Sequence, residues 1–288
     1  MITTETPLKK IAKKILSPLK GTKIYSWIHA VSMAKDIRSG KFYEAELYLL
    51  PYLVPKASIA IDIGSNYGLY SYHLSNLVGG CGKVYGFEPI PITFNTLSKV
   101  LKILSITNIT ITKQGLSNFV GSALFEVPLQ DGGHLMGGQA HLLNSDSINA
   151  DQSSKSSWRN TKTFECQVNV LDRVIPNDEK HRVSFIKLDT EGCEFLILDG
   201  ALETITASKA TLLIEINPQY LEYFKISLAA SLEKLAILDY KLYSYKETSR
   251  SLVIISDSEI VEANYIFIHN SNIKIVDEIN SKSINPRS

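Results

Sequence analysis

Short hydrophobic runs alternate with stretches of helical periodicity from residue 58 onward. Runs such as 58–63 (SIAIDI) and 210–216 (ATLLIEI) are almost continuously apolar, which is typical of strands buried on both faces of a parallel sheet. Between the runs, apolar residues recur every three or four positions, as they do on one face of a helix. This alternation predicts an α/β fold built on a doubly wound, mostly parallel sheet. The predicted strands are 58–63, 83–87, 108–112, 183–188, 210–216, 242–245, 252–255 and 265–268.

Two segments interrupt this alternation. Residues 119–127 predict a hairpin that turns at Gly121-Ser122, and residues 128–158 are polar and rich in glycine and serine. A loop as long as the second segment, inside a compact domain, is usually functional or disordered. We therefore expect one domain with this loop as an insertion, between a helical extension and a tail. The expected ranges are 1–42 for the N-terminal extension, 43–270 for the domain, 128–158 for the insertion and 271–288 for the C-terminal tail.

The first predicted helix, within residues 8–27, has a basic amphipathic pattern. A helix of this kind either rests on a membrane surface or a partner, or packs on its own domain with a solvated lysine face. Pro18 limits the length of the helix. We favour the packed helix over membrane contact, because most amphipathic helices of globular proteins pack on their own domain. The residues of the pattern are Leu8, Ile11, Ile15, Leu16 and Leu19 on one side and Lys9, Lys10, Lys13 and Lys14 on the other.

Composition and charge narrow the classes of function. Of the 288 residues, 44% are hydrophobic and 20% are charged, which is the composition of a globular protein with a substantial core. Thirty basic and 29 acidic residues leave a formal net charge of +1, so bulk charge does not indicate nucleic acid as the partner. Three widely spaced cysteines argue against a disulfide scaffold or a cysteine zinc cage. Without a signal-peptide pattern or an apolar run of about 20 residues, we expect a soluble, cytoplasmic protein.

A glycine-rich turn, in the sequence IDIGSNYG, follows the first predicted strand. Its glycines allow a tight turn and let a ligand approach the backbone closely. The spacing differs from the G-x-G-x-x-G of dinucleotide sites, and Asp62 suits a cationic or hydroxyl-rich ligand better than a pyrophosphate. Many α/β folds have such a turn for packing alone, so this alternative stays open.

Glu88 follows the next predicted strand, 24 positions after Gly64. An acidic residue about 20 positions after the glycine turn is where doubly wound folds place the acceptor for ribose hydroxyls. Together with the turn, Glu88 favours a nucleoside ligand. The alternative is an exposed carboxylate at the end of a strand.

Charged residues cluster after the strand predicted at 183–188, in the sequence FIKLDTEGCE. Open α/β sheets bind their ligands at this end of the strands, and charges there are costly unless they are paired or functional. Asp189 and Glu191 are therefore candidates for acid–base chemistry. The alternative is a structural ion pair together with a helix N-terminal charge at Glu194.

Four segments of the chain, taken in order, resemble the FkbM family of S-adenosylmethionine-dependent methyltransferases. The resemblance extends over about residues 43–217, and its third segment is close to a family signature. It implies a Rossmann-like class I methyltransferase sheet with an antiparallel final strand. It also implies S-adenosylmethionine as the methyl donor, and we expect O-methylation of a hydroxyl on a small-molecule or saccharide acceptor. The four segments are IDIGSNYGLYSYHL, VYGFEPIPITFNTL, FIKLDTEGCEFLILDGA and LLIEINP.

The resemblance also implies which residues bind the cofactor. They are Asp62, Gly64, Asn66 and Gly68 in the turn, Glu88 at the ribose, Ser117 or Asn118 beside the adenine, and Asp189 near the methyl group.

A hydroxyl acceptor must also lose its proton, for which the candidate bases are Asp189, Glu191, His134 and His141. Both histidines lie in the 128–158 insertion, and such a loop could close over the substrate and exclude water. No spacing of residues demands a metal ion, and we predict none.

Two other functions compete with methyl transfer. A nicotinamide-dependent oxidoreductase could use the same sheet, but it would need the G-x-G-x-x-G turn that this chain lacks. A binding module for a nucleoside cofactor could keep the fold without catalysis. The presence of Asp62, Glu88 and Asp189 argues against such a loss of function.

Overall fold

The computed structural model describes residues 23–130, 134–143 and 160–283. The predicted hydrophobic runs form strands in it, together with several strands that the sequence pattern did not predict. In chain order the strands are β1 (Ile59–Ile63), β2 (Lys83–Phe87), β3 (Ile109–Thr112), β4 (Gly115–Leu116), β5 (Gly121–Gln130), β6 (His134–Leu135), β7 (His141–Leu142), β8 (Thr161–Asn169), β9 (Val183–Leu188), β10 (Thr211–Ile216), β11 (Tyr240–Lys246), β12 (Ser251–Ile254) and β13 (Ala263–His269).

Eight of these strands form one large sheet in the order β12-β11-β13-β10-β9-β1-β2-β3. β1 pairs in parallel with β2 on one side and β9 on the other, and β3 and β10 extend the parallel part. The final strand, β13, is antiparallel to β10, and β11 and β12 add two more antiparallel pairings at that edge. The predicted α/β fold, with a mostly parallel doubly wound sheet and an antiparallel final strand, is confirmed.

Helices cover both faces of the large sheet because successive residues of its buried strands point to opposite sides. Ala60 and Phe185 pack on one side with Leu74, whereas Ile61 and Ile186 belong to the core on the other side. The helices are α1 (Lys23–Arg38), α2 (Leu50–Leu53), α3 (Leu69–Val78), α4 (Pro91–Ile103), α5 (Leu171–Val174), α6 (Glu194–Asp199), α7 (Leu202–Ser208), α8 (Pro218–Tyr223), α9 (Leu228–Ile237) and α10 (Lys274–Ser283).

A second, smaller sheet includes the described strands of the insertion. Its order is β4-β8-β5-β6, with β7 also paired to β5. The predicted turn at Gly121-Ser122 is wrong, since both residues begin β5, which pairs with β8 from Gly121 opposite Val168 to Pro128 opposite Thr161. The polar segment 128–158 is also more regular than a loop in its described part, where it includes the end of β5, β6, a turn of 3₁₀ helix at Gly137–Gln139 and β7. Residues 131–133 and 144–159 lie outside the described residues.

The two ends of the described chain pack as helices. α1 buries Ala30, Ala34 and Ile37 against Val100 and Leu104, next to α4. Most of the amphipathic helix predicted within 8–27 lies outside the described residues, which begin at 23. The expected tail contains α10, which adds Val276 and Ile279 to the core. In the described ranges, no helix is both long and apolar enough to cross a bilayer.

Phe185 tests the packing of β9. Because its side chain is 0% exposed, we expect Phe185→Ala to lower the free energy of unfolding by about 3–5 kcal/mol through loss of contacts and a residual cavity. Phe119 is 40% exposed, so Phe119→Ala is the matched control, with an expected change within about 0.5 kcal/mol. Urea denaturation measures both values, and equal losses would contradict the assignment of Phe185 to the core.

Candidate active site

A cleft opens where the chain leaves β1, β2 and β9, and residues from the small sheet border it on the other side. The empty space of the cleft, counted together with the open solvent at its mouth, is about 580 Å³. The described lining contains acidic, amide and apolar side chains, but neither lysine nor arginine. The lining residues are Ile63, Gly64, Asn66, Phe87, Glu88, Pro89, Gln114, Gly115, Leu116, Phe125, Gly137, Ala140, Asp189, Thr190, Glu191 and Cys193.

The turn after β1 requires glycine because it presses against the end of β9. Gly64 has φ +79°, and a Cβ atom at this position would lie 1.8 Å from the carbonyl oxygen of Asp189. The Asp189 N–H donates to the Ile63 carbonyl at 3.2 Å, and the Gly64 N–H donates to the Phe87 carbonyl at 3.0 Å. Packing and site formation therefore coincide here, since the close approach that excludes a side chain also brings β1, β2 and β9 together around the cleft.

Glu88 forms the wall of the cleft at the end of β2. Its carboxylate accepts the N–H of Asn66 at 3.1 Å and the N–H of Ile90 at 2.9 Å, so it holds the glycine turn in place. Burial raises the pKa of Glu88 to about 8, against the effect of these two hydrogen bonds. Asn66 has φ +47°, and its buried Oδ1 has no hydrogen-bond partner among the described residues. The turn thus offers an acceptor atom that a ligand could use.

Asp62 lies beneath the turn and is not among the lining residues. It is 1% exposed and accepts a hydrogen bond from Ser71 Oγ at 2.5 Å, while its Oδ1 has no partner in the described chain. Burial raises the pKa of Asp62, and the nearby ammonium of Lys187 opposes that rise. The geometry therefore gives Asp62 a supporting position under the turn, and its predicted role at the cofactor stays a prediction.

Lys187 supplies a buried positive charge at the base of the cleft. Its side chain is 3% exposed, and Nζ lies 2.6 Å from Asp189 Oδ2 and 4.4 Å from the centroid of the Tyr70 ring. Burial alone would lower the pKa of Lys187, but the carboxylates of Asp189 and Asp62 raise it above its ordinary value. The lysine therefore stays charged, and the ion pair that we considered for this segment is present.

Asp189 and Glu215 are hydrogen-bonded and have opposite pKa shifts. Burial and the neighbouring Asp189 carboxylate raise the pKa of Glu215 to about 10. Burial alone would raise the pKa of Asp189 as well, but the Lys187 ammonium and the hydrogen bond with Glu215 outweigh it and lower that pKa. At neutral pH the proton therefore resides on Glu215, which donates to an ionised Asp189.

Glu191 lines the cleft on a strained loop. Its φ is +57°, and the next residue, Gly192, has φ +109° with room for no Cβ, which would lie 2.6 Å from Tyr220 Cβ. The buried Glu194 carboxylate stabilises this loop by accepting the N–H of Thr190 at 2.7 Å and the N–H of Gly192 at 3.0 Å. Burial, Asp189 and Glu194 raise the pKa of Glu191 to about 8. Glu194 thus has the structural role of a charge at the start of α6.

Besides Asp62, four further predicted residues with described side chains or backbone do not line the cleft, namely Gly68, Ser117, Asn118 and His141, and the side chain of a fifth, His134, lies outside the described residues. Ser117 is buried, Asn118 is exposed, and neither lines the cleft, although Gln114–Leu116 just before them do. His141 is buried on β7, with Nε2 3.5 Å from Glu126 Oε2, and burial lowers its pKa. It does not line the cleft either. The backbone of His134 belongs to β6, but its side chain lies outside the described residues.

A family model, described as the methyltransferase FkbM domain, matches residues 62–242, more than half of the chain. The chain belongs to the FkbM methyltransferase family. The match starts at Asp62 and includes Glu88, Asp189, Glu191 and Glu215. The resemblance inferred from the four sequence segments is therefore confirmed.

Individual proteins similar to this FkbM-family chain share only low sequence identity with it. Methyltransferase 1 of Beauveria bassiana is 26% identical over 155 residues, which cover 51% of this chain and 59% of that protein. The solved FkbM methyltransferase of Methylobacillus flagellatus is 19% identical, with a TM-score of 0.45 over 73% of this chain and 43% of that one. A SAM-dependent O-methyltransferase of Thermotoga maritima is 13% identical, with a TM-score of 0.40 over 82% of this chain and 69% of that one. The chain thus spans less than two thirds of the length of the first two.

The sequence patterns did not indicate several residues of the candidate site. Glu215 had a usable signal, because it is the only charged residue in the buried run 210–216. Tyr220, which is hydrogen-bonded to Glu191, and the lining residues Gly137 and Ala140 had none. Their positions depend on how α8 and the insertion pack, which local patterns do not indicate.

Gly64 tests the close approach of β1 and β9. Because the nearest atoms are backbone, we expect Gly64→Ala to lower the free energy of unfolding by about 3 kcal/mol or more. Gly40 has φ +66° and open space around its Cβ position, so Gly40→Ala isolates the backbone strain, about 1–2 kcal/mol. Chemical denaturation of both variants checks the difference. A Gly64→Ala variant no less stable than Gly40→Ala would contradict this packing.

Proposed function

We propose that this chain transfers a methyl group from S-adenosylmethionine to a hydroxyl oxygen of a small-molecule or saccharide acceptor. The observation that carries the proposal is the acidic lining of the cleft, in which Asp189 is ionised at neutral pH, whereas Glu88 and Glu191, with pKa values of about 8, ionise as the pH rises. Three carboxyl side chains, Glu88, Asp189 and Glu191, line it, and no lysine or arginine is present in its described lining. Such a lining complements a positively charged nucleoside, whereas the pyrophosphate of a nicotinamide dinucleotide requires donors and positive charge.

The residues around the cleft fit this cofactor. Glu88 is in the position of a ribose-hydroxyl acceptor, because each of its oxygens accepts one backbone N–H and retains further lone pairs. The unpartnered Oδ1 of Asn66 can accept another hydrogen bond. Leu116 and Phe125 offer apolar surface to the adenine.

When bound, S-adenosylmethionine supplies an electrophilic methyl group on a positively charged sulfur. The contribution of Asp189 is a fixed negative charge, since Lys187 and the proton of Glu215 keep its carboxylate ionised. An anion that is already oriented stabilises a neighbouring cation without reorganisation. The same ion pair makes Asp189 a poor base, because its lowered pKa leaves little tendency to accept a proton.

Glu191 is the best placed of the three predicted bases whose side chains are described. It lines the cleft, and a base with a pKa of about 8 can accept a hydroxyl proton near neutral pH. His141 is buried outside the lining, and its lowered pKa reflects burial. The presence of such a base favours an oxygen acceptor, whose proton must be removed during transfer.

Calorimetric titration with S-adenosylmethionine, S-adenosylhomocysteine and NADH tests the cofactor. We expect the first two to bind and NADH not to bind. Glu88→Ala should weaken binding by about 1–3 kcal/mol through loss of the hydrogen bond to the ribose, whereas the exposed Glu278→Ala should not change it. Failure of both sulfur nucleosides to bind would refute the proposal.

Once S-adenosylmethionine binding is established, a screen of hydroxylated metabolites and saccharides with a labelled methyl donor identifies the acceptor.

The pH dependence of cofactor affinity should separate the two sulfur nucleosides. Glu88 and Glu191, with pKa values of about 8, lose their protons as the pH rises from 7 to 9, which adds negative charge to the cleft. Affinity for the S-adenosylmethionine cation should therefore rise over this range by about threefold to tenfold more than affinity for uncharged-sulfur S-adenosylhomocysteine. Calorimetry in buffers of different pH measures the ratio of the affinity for S-adenosylmethionine to that for S-adenosylhomocysteine. If this ratio stays constant or falls as the pH rises, ionisation of Glu88 and Glu191 does not favour the cation.

Glu191→Gln tests the assignment of the base. The amide keeps the size of the side chain but cannot accept the acceptor proton, so we expect kcat to fall about 100-fold to 10,000-fold. Donor affinity should fall much less, because Glu191 acts on the acceptor. Glu222→Gln, an exposed position on the neighbouring α8, is the control. Steady-state rates with the acceptor found in the screen decide the assignment, and a kcat close to that of the unmodified enzyme would exclude Glu191 as the base.

A further inference from the structure

One face of α1 exposes hydrophobic side chains to solvent. Ile24, Trp27, Ile28 and Val31 are 62%, 41%, 39% and 52% exposed. Their spacing of three, four and seven positions puts them in one stripe along the helix. A different side of α1, which includes Ala30, Ala34 and Ile37, is buried against the domain. The stripe, which we call the α1 stripe, is therefore not needed for packing α1 on the described part of the domain.

Positive charge adjoins the α1 stripe. Lys35 and Arg38 are exposed and continue the same face of the helix by their spacing from Val31. On the neighbouring helix, Lys99 hydrogen-bonds to Ser26 Oγ, and its Nζ lies 5.7 Å from the centroid of the Trp27 ring.

Acidic groups near this face are few. Asp36, the only acidic residue in α1, is not in the exposed stripe and lies 3.6 Å from Lys41 Nζ. The sequence of α4 contains Lys99 and Lys102 but no acidic residue. The face as a whole is therefore apolar and basic.

We propose that the α1 stripe docks this protein on the surface of an anionic lipid bilayer. An exposed apolar helix face with flanking lysine and arginine and a tryptophan is the pattern of helices that lie in the membrane interface. Anionic headgroups complement Lys35, Arg38 and Lys99, and the indole of Trp27 suits the boundary between headgroups and acyl chains.

On the side away from the α1 stripe, α1 contacts the turn that borders the cleft. The ring of His29 in α1 contacts the ring of Tyr67, with centroids 5.3 Å apart, and Tyr67 stands between Asn66 and Gly68. A helix is only about 10–12 Å across, so a docked α1 would hold this turn close to the lipid. A short path from the bilayer to the cleft would serve catalysis only if the proposed function is correct. Docking itself does not depend on that function.

Vesicle binding without any methyl donor tests docking independently of catalysis. The full-length protein is sedimented with vesicles of phosphatidylglycerol and phosphatidylcholine, and with vesicles of phosphatidylcholine alone. We expect binding to the anionic vesicles only, and an about tenfold loss in about 0.5 M salt, where the screening length falls to a few ångströms. Absence of binding to the anionic vesicles would overturn the proposal, as would equal binding to both kinds.

Two variants localise the contact. Ile28→Glu should weaken binding to the anionic vesicles about tenfold or more, because a carboxylate must enter the interface. Ile237 on α9 is 77% exposed, so Ile237→Glu is the matched control and should bind like the unmodified protein. Lys35→Glu is a second variant, at an exposed polar position, and should also weaken binding to the anionic vesicles. Undiminished binding of Ile28→Glu and Lys35→Glu would assign the contact to another part of the chain and overturn the role of the stripe.

Tryptophan fluorescence gives a direct readout of insertion. The sequence has two tryptophans, so Trp158→Phe leaves Trp27 as the only one. We expect a blue shift of its emission on addition of anionic vesicles. Sedimentation velocity without lipid tests whether a second copy of the chain, rather than a bilayer, covers the α1 stripe. A dimer that Ile28→Glu dissociates, together with no blue shift, would overturn membrane docking.

Discussion

The candidate site depends on one buried positive charge. Lys187 lies beneath a cleft whose other buried ionisable groups are mostly carboxyls, and its ion pair with Asp189 spans 2.6 Å. Burying several carboxylates together is costly unless a counter-charge or protons compensate them. Lys187 compensates Asp189 directly and Asp62 through space, and Glu215 keeps its proton instead. The lysine therefore determines which carboxyl in the cleft is an anion and which is an acid.

Backbone contacts place this lysine and its partners. The ends of β1 and β9 approach until the Gly64 position has no room for a side chain beside Asp189. A similar contact attaches the insertion, since a Cβ on Gly137 would lie 2.2 Å from Thr93 Oγ1 at the start of α4. The first contact positions the acidic groups, and the second brings the insertion to the edge of the cleft. Glycine is the residue that allows each approach.

Much of this arrangement was predictable, and the failures have a common cause. β1, β2, β9 and β10 bury both faces, so their hydrophobic runs identify them directly. The carboxyl ends of parallel strands meet at one edge, which is why Glu88, Asp189 and Glu191 could be placed together before the structure was known. β5 was predicted wrongly because its partner, β8, follows in the chain only after the whole insertion, and a local pattern contains no signal of that pairing. His141 and Ser117 illustrate the same limit, since a side chain's distance from a cleft is decided by tertiary packing.

The segment FIKLDTEGCE combines three different functions of charge within a few residues. Lys187 and Asp189 both lie at the end of β9, two positions apart, and form an ion pair. Glu194 uses its carboxylate on backbone N–H groups and so fixes the loop conformation that presents Glu191. Glu191 has neither a lysine partner nor backbone donors among its pKa-lowering contacts, and its pKa rises to about 8. Carboxyls of the same chemistry thus acquire distinct pKa values because each one meets different partners.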